Sequence, residues 1–314
     1  MFLIAGESLI DLVAQDDGTY QPIAGGAPFN FARALALQGV AAGYLNPISR
    51  DVFGQLLRDA LLHSGATQLA PATDRPTSLA LVSTDSVGQA RYSFYREAVA
   101  DRQLSAEAIL RADSPSIEGF HTGALALVPP DHRIALTAIE HFRARRVHCT
   151  LDINLRPQVA SSQGIDAAHY REAVLEVAQR CHVVKLSDED LRGLDPDATP
   201  ESFAEKLLHS GCLIVLVTFG ARGARLYTAR DRLEQAAPPV RVVDSIGAGD
   251  TFFAGFMASL HRQGAWVALQ HGLPSALQLQ VALQHAAASA AITLERQGCR
   301  PPTWNEVLQR TITS

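Results

Sequence analysis

Positions 244–256 read Asp-Ser-Ile-Gly-Ala-Gly-Asp-Thr-Phe-Phe-Ala-Gly-Phe. They follow an extended apolar segment (Val240, Val242, Val243) and run into a helix-compatible apolar stretch through Leu260. Without a Cβ, Gly247 and Gly249 let the backbone turn sharply and come close to a ligand. The unfilled N–H groups of the helix that follows point at whatever sits there, and its dipole favours an anion. Asp250, in the first turn, is placed to accept a proton beside that anion. The chemistry such a stretch suits is transfer of an anionic group with the base already in place. The same residue types also make an ordinary helix start, where Asp and Thr cap exposed donors.

Further candidates are scattered along the chain. Gly25-Gly-Ala-Pro-Phe-Asn30 opens a helix, with Pro28 at its start and Gly39 at its end. Gly26 permits close backbone approach, and Asn30 offers both a donor and an acceptor, which suits a polyhydroxylated ligand. Leu151-Asp-Ile-Asn-Leu-Arg-Pro157 closes a buried strand. In an extended chain Asp152, Asn154 and Arg156 point the same way, so this tip can hydrogen-bond a substrate and grip phosphate; a structural network anchoring the loop uses the same groups. Val184-Lys-Leu-Ser-Asp-Glu-Asp190 ends another strand. Its carboxylates can act on a nucleotide through Mg²⁺, or Ser187 and Asp190 can simply cap a helix. Asp11 and Arg96 lie on hairpin strands and face either water or a hydroxyl-rich ligand. His121 reads as a core residue.

Composition narrows the options. The 314 residues are 47% apolar and 19% charged, as in soluble globular proteins, and are enough for a large core. A formal charge of −5 without a dense basic run excludes nucleic acid and anionic membrane as natural partners. No run reaches the ~18 apolar residues of a membrane helix, and the N-terminus, meeting an acid at Glu7, reads as a first strand rather than a signal peptide. Cys149, Cys181, Cys212 and Cys299 are widely spaced and read as buried reduced thiols. A cytoplasmic protein is expected.

The elements that must position these residues have a two-part rhythm. A short strand at 2–5 precedes a hairpin with strands at 8–14 and 19–23 about Asp16-Asp-Gly18. A second hairpin, 77–84 with 90–95, turns about Asp85-Ser-Val-Gly88. From about 118 onward, strands at 118–121, 147–152, 181–186, 212–218 and 224–228 mostly alternate with helices near 131–145, 167–179 and 200–210. Helices dominate the end, at 249–262, 274–294 (read as a surface helix on a sheet) and 303–310. This pattern predicts an α/β fold with a mostly parallel sheet and helices on both faces. The hairpins, about 8–24 and 77–98, form a small β lid on a single unit spanning 1–314. Ligands of such sheets bind beyond the carboxyl ends of the strands, where the candidate residues lie.

There is no P-loop pattern, no G-x-G-x-x-G after the first strand, no G-x-S-x-G elbow and no H-E-x-x-H. Instead, Gly25–Ala32 and Asp244–Asp250 together resemble the two signatures of the PfkB, or ribokinase-like, family of carbohydrate kinases. The resemblance covers essentially the whole chain and is greatest to its fructokinases, through Gly-Gly-Ala-Pro, Tyr95-Arg96 with Ala100-Asp101, and Asp152-x-Asn154-x-Arg156-Pro157.

It implies a three-layer αβα fold and transfer of the γ-phosphoryl group of ATP to a sugar hydroxyl. Asp250 would be the base, and the N–H groups of Gly247, Ala248 and Gly249 would hold the transferring group. Asp11, Gly26, Asn30, Arg96 and Arg156 would hold the sugar. Lys185, Ser187, Thr218, Gly220 and Gly223 would line the nucleotide side. Asp190 would serve Mg²⁺, and Asp244, with Ser245 and backbone near Gly298, a monovalent cation such as K⁺. A homodimer formed through the lid is a further expectation. Three positions depart from the family pattern: Ser245 replaces Thr, Ser187-x-x-Asp190 replaces Asn-x-x-Glu, and Ile48-Ser-Arg-Asp51 lacks the usual glycine. 2-Keto-3-deoxygluconate kinases, ribose or nucleoside kinases, and a non-catalytic sugar or nucleotide sensor are the competing readings.

Overall fold

Strands buried on both faces are apolar nearly throughout; Phe2–Ile4 is so at every position, and Ile214–Thr218 at all but its half-buried terminal threonine. The computed structural model describes residues 1–15, 17–84 and 90–313. Its strands are β1 (Phe2–Ile4), β2 (Leu9–Ala14), β3 (Tyr20–Gly25), β4 (Ala42–Tyr44), β5 (Thr67–Gln68), β6 (Ser78–Thr84), β7 (Ala90–Tyr95), β8 (Gly119–Gly123), β9 (His148–Asp152), β10 (Val183–Ser187), β11 (Ile214–Thr218), β12 (Ala224–Tyr227) and β13 (Arg232–Gln235). Nine of them form one sheet in the order β13-β12-β11-β10-β9-β8-β1-β4-β5. Pairing is parallel from β11 to β5; β12 pairs antiparallel with both β11 and β13, so it alone runs against the rest.

The helices are α1 (Ala27–Leu37), α2 (Val52–Ser64), α3 (Ala106–Arg111), α4 (His132–Ala144), α5 (Pro157–Ser162), α6 (Ala167–Ala178), α7 (Asp188–Leu194), α8 (Pro200–His209), α9 (Ala248–Arg262), α10 (Ala265–Ala268), α11 (Ala276–Leu294) and α12 (Trp304–Thr313). Alternation along the strands sorts them onto two faces. Leu3, Val215 and Val217 join a core with Phe142, Tyr170 and Phe203 from α4, α6 and α8. Phe2, Ile4, Ile214 and Leu216 join the opposite core with Phe31, Phe253 and Leu283 from α1, α9 and α11. Side chains of period two on each strand thus account for the three layers. Strand β1 sits between β4 and β8, so the chain leaves it in both directions, and a crevice opens at the carboxyl ends there.

The second sheet, ordered β3-β2-β6-β7, covers that crevice. The turn at Asp85-Ser-Val-Gly88 and Asp16 of the first hairpin lie outside the described residues. Two carboxylates tie this sheet to the body. Asp51 caps α2 by accepting from Gly54 N at 2.6 Å, and it also accepts from Thr77 N at 2.8 Å and Thr77 Oγ1 at 2.6 Å. Asp101 accepts from Ser78 Oγ and from Arg96 Nη2.

The expected strands and helices are present with small shifts at their ends. Strands β4, β5 and β13 and helices α2, α3, α5 and α10 are additional. The first two strands are only three and two residues long, too short to show a period. Helix α2 does carry its own signals, Asp51 at the N-cap and Gly65, at φ 80°, at the C-cap. Helix α11 leaves one face accessible, at Leu277, Val281 and Gln284, as expected of a helix lying on a sheet, and packs the other inward. It buries Leu279, Leu283, Ala286 and Ser289, and Ser289 lies where a Cβ on Gly255 of α9 would be 2.6 Å from its Oγ, so the glycine lets the two helices close up. The four cysteines are free and buried. Among the described residues no helix is long and apolar enough to cross a membrane.

Asp51 serves a helix cap and a lid strand with one carboxylate. Asp51→Ala should therefore cost on the order of 2 kcal/mol. The urea unfolding midpoint measures this, and a shift equivalent to under about 0.5 kcal/mol would show the tie to be dispensable.

Candidate active site

The crevice at the carboxyl ends of β1 and β8–β11 is a cavity of about 310 Å³ roofed by the lid. Leu9 and Asp11, two residues apart on β2, share the lid face that lines it, and Phe94 of β7 joins them. From below come Asn30 of α1, Asn154 and Arg156 after β9, Lys185 of β10, and Gly247, Gly249 and Asp250 at the start of α9.

Asp250 is 7% exposed. Its Oδ2 accepts from Asn30 Nδ2 at 2.9 Å, joining residues 220 apart in sequence. Burial pushes its carboxyl up to about 7; the Asp152 carboxylate adds to that, while Asn30, Lys185 and Arg156 pull the other way. A carboxyl poised there exchanges a proton readily at neutral pH. Asn30 Oδ1 is buried with no protein partner, which leaves an acceptor for a ligand hydroxyl.

The turn before Asp250 is built for close approach. Gly247, the N-cap of α9, has φ 75°, and a Cβ there would lie 2.2 Å from Cys299 Sγ. A Cβ on Gly249 would lie 3.0 Å from Lys185 Nζ, so the lysine amine sits against the helix N-terminus. Lys185 itself is ion-paired with both oxygens of Asp152, at 2.9 and 3.1 Å. Burial works against its charge, but the carboxylates of Asp152 and Asp190 outweigh that and raise its pKa. The N-terminal donors of α9 and this ammonium together favour an anion.

The tip of β9 is not extended as its alternation suggested. The strand ends at Asp152, Asn154 takes φ 39°, and Arg156 becomes the N-cap of α5. Asn154 and Arg156 still line the cavity, whereas Asp152 turns to Lys185. Arg156 Nη1 donates to its neighbour Leu155 O, and among the described residues the side chain makes no salt bridge. Asp11 is buried in the same cavity, and burial pushes its carboxyl up to about 7 against the pull of Arg156.

Other candidates are placed as follows. Gly26, at φ 106°, lies where a Cβ would be 2.4 Å from Glu7 O. Arg96 is not in the main cavity. It lines a small pocket behind it, bound to Asp101 at 2.8 Å, because the chain turns inward after β7. Asp190 and Ser187 form the reciprocal cap of α7, and Asp190 Oδ1 also accepts from Leu155 N at 2.7 Å, so both carboxylate oxygens are occupied. Asp244 bonds Ile246 N and Gly298 N, both at 2.9 Å, and thereby joins the glycine turn to the loop after α11. His121 stacks on Phe31 and bonds Thr150 Oγ1, and burial lowers its pKa to about 3: it is a core residue, as expected.

A second, apolar cleft of about 720 Å³ adjoins the first and shares Thr218, Ser245 and Gly249 with it. Gly220, Gly223, Pro239, Val242, Phe252 and Leu294 line it. The segment with Val242 and Val243 is an exposed loop outside the sheet, 60% and 57% accessible, so its apolar side chains wall this cleft. Its lining suits an apolar group, and its Gly249 end meets the helix N-terminus that favours an anion.

The sequence reading missed Glu7, Leu125 and Phe94 as parts of the cavity, and Cys299 beneath Gly247. Glu7 carried one signal, an acid directly after an apolar first strand at its carboxyl end. Nothing in the sequence pointed to the others.

The family model described as pfkB family carbohydrate kinase matches residues 2–306. A fructokinase of Rhizobium leguminosarum bv. trifolii is 34% identical over 270 residues, covering 83% of this chain and 79% of the relative. Fructokinase-1 of Zea mays is 30% identical, covering 97% and 95%. Among solved structures, fructokinase of Xylella fastidiosa with bound ATP superposes with a TM-score of 0.87 at 28% identity, over 100% of this chain and 99% of that one. A double mutant of Vibrio cholerae O395 fructokinase in a fructose-, ADP- and potassium-bound form gives 0.85 at 23% identity, covering 98% and 97%, a likeness of fold.

Burying Asp250 should cost stability, and the sign follows from its two pKa values. Below about 4 it is protonated folded or unfolded, and no cost arises. Between about 4 and 7 only the unfolded chain ionises, so stability falls as pH rises and levels off above 7. Ligand-free Asp250→Asn should therefore be more stable than wild type at pH 8, by on the order of 2–4 kcal/mol, with the gap closing toward pH 4. Calorimetry across that range checks it. A gap independent of pH would mean that the carboxyl is not held neutral by burial.

Proposed function

Because the chain belongs to the pfkB family of carbohydrate kinases, we propose that it transfers the γ-phosphoryl group of ATP to a hydroxyl of fructose. The observation that carries this reading is the placement of Asp250: a buried base bonded to Asn30, on the turn where the polar cavity and the apolar cleft meet. The choice of fructose rests on the fructokinase names of relatives at 34% and 30% identity.

In this reading the sugar lies in the polar cavity under Leu9, Asp11 and Phe94, with hydroxyls on Asn30, Asn154 and Asp11. The adenine lies in the apolar cleft beside Thr218, Gly220 and Gly223, so the phosphates pass Gly249. Asp250 takes the proton of the attacking hydroxyl. The N–H groups of Gly247 and Gly249 meet the charge that builds on the transferring group, with Arg156 and Lys185 near it; the Ala248 N–H, expected to join them, already donates to Ser245 O at 3.3 Å. Positioning and fixed charge of this kind supply most of the rate in phosphoryl transfer. The lid excludes water, which would otherwise compete as acceptor.

Among the described residues no group of three His, Cys, Asp or Glu can hold a metal. Mg²⁺ would come with the nucleotide phosphates and supply charge to offset theirs, with Ser187 and Asp190 as the residues beside it. The Asp244 carboxylate is committed to Ile246 and Gly298, so its contribution to a K⁺ site would be to order main-chain carbonyls.

An ADP-release screen over fructose, 2-keto-3-deoxygluconate, ribose and nucleosides tests the substrate. Fructose should give the highest kcat/KM, and a tenfold preference for any other acceptor would overturn the assignment. In the same assay Asp250→Asn should lower kcat by about 10²-fold or more, and wild-type kcat/KM should fall below about pH 7 as the base protonates. Arg156→Ala should lower kcat/KM by at least about tenfold, the usual worth of a charge-assisted contact to an anion. Near-normal turnover in Asp250→Asn would remove it as the base.

A further inference from the structure

Glu7 is an acid of the cavity with no part in the transfer scheme. It is 3% exposed, and its two oxygens serve two different elements. Oε1 accepts from Ala27 N at 3.0 Å and Oε2 from Leu125 N at 3.2 Å. Ala27 is the first residue of α1, next to Gly26 and one turn before Asn30. Leu125 belongs to the 3₁₀ turn Ala124–Leu127 that follows β8. Glu7, Ala27 and Leu125 all line the acceptor cavity, from different sides.

Both segments need external support. Helix α1 has no side-chain cap of its own, since Gly26 at its N-cap has no side chain to give. The Glu7 carboxylate supplies from a distant loop what a capping side chain supplies locally. The turn at Leu125 begins with Ala124 at φ 50°, a left-handed conformation that a non-glycine residue holds only when its surroundings insist. One carboxylate therefore fixes an uncapped helix start and a strained turn relative to each other.

We propose that Glu7 is a positioning residue for the acceptor site, fastening the start of α1 to the turn after β8 so that Asn30 and Leu125 keep one geometry around the bound sugar. The kinetic consequence rests on the sugar-kinase reading; the fastening does not.

A carboxylate accepts from both N–H groups with its full charge; an amide presents a donor to one of them, and a protonated acid accepts only weakly through its hydroxyl oxygen. Several groups face Glu7. Arg96 at the end of β7 lines the pocket behind it, with Asp101 beside Arg96 and Asp131 beyond. Tyr44 of β4 and Tyr170 of α6 are the other titratable neighbours. Burial pushes Glu7 up to about 7, with Arg96 pulling against it and Asp101 adding to it. The fastening should therefore be complete above neutral pH and weaken below it.

Hydrogen exchange followed by mass spectrometry tests the fastening without any substrate. At pH 8, Glu7→Gln should reduce protection by about tenfold in peptides covering both 25–30 and 123–127, while strand β11 keeps its protection. In wild type, protection at the same two segments should fall together from pH 8 to pH 6, and in Glu7→Gln it should not. With the best acceptor found in the screen, Glu7→Gln should raise the sugar KM about tenfold, with kcat and the ATP KM changed less than about twofold. Glu7→Asp, one methylene short, should not restore it.

Unchanged protection, loss at one segment only, or equal rises in both KM values would overturn the proposal. If no sugar is turned over by wild type, the kinase reading fails, and the exchange experiment still decides the role of Glu7. If Glu7→Gln does not fold, the pH dependence of wild-type protection decides it.

Discussion

A carboxylate held out of water at the start of a helix is the constraint around which this site is arranged. Left alone, the N-terminus of α9 would favour the charged form of Asp250, and burial favours the neutral one. The balance lies near neutral pH because burial dominates while Asn30, Lys185 and Arg156 offset part of it. Each of these partners comes from a different element: α1, β10 and the start of α5. The proton affinity of one atom pair therefore depends on the whole carboxyl end of the sheet being assembled correctly.

That dependence explains the buried polar groups around it. Lys185 and Asp152 are paired at 2.9 Å with almost no exposure, and such pairs seldom add net stability once desolvation is counted. Their value is positional. The ammonium is pinned against Gly249, and the Asp152 carboxylate, occupied by it, still raises Asp250. Stability comes instead from the two apolar cores on either face of the sheet, which let the ridge between them carry strained and charged groups.

Periodicity made the two-faced sheet legible, since Ile214–Thr218 or Val183–Ser187 leave little choice but a central strand. The glycine turn at 247–249 and the helix start at 25–30 were legible because local backbone chemistry marks them. What stayed hidden is what the third dimension adds. Arg96 read as a lid residue reaching into the cavity, yet the chain turns after Tyr95 and buries it against Asp101. Asp152, Asn154 and Arg156 alternate on paper, but the left-handed Asn154 breaks the extended run. Asp190 has the composition of a metal ligand and the geometry of a cap. In each case one local conformational choice or one long-range partner decides, and neither leaves a trace in residue spacing.

The turn at 247–249 also shows why a motif recognised by its glycines is only half described. Gly247 needs φ 75°, which explains a glycine by itself. Cys299 beneath it adds a separate demand, because any Cβ at 247 would meet its sulfur, and Asp244 bonds the adjacent Gly298. The loop after α11 thus forms the floor of the anion cradle, and the space under the turn is set by residues some fifty positions downstream. That floor keeps the turn from sinking into the space beneath it. The cradle belongs to the packing of α9 against α11 as much as to its own sequence.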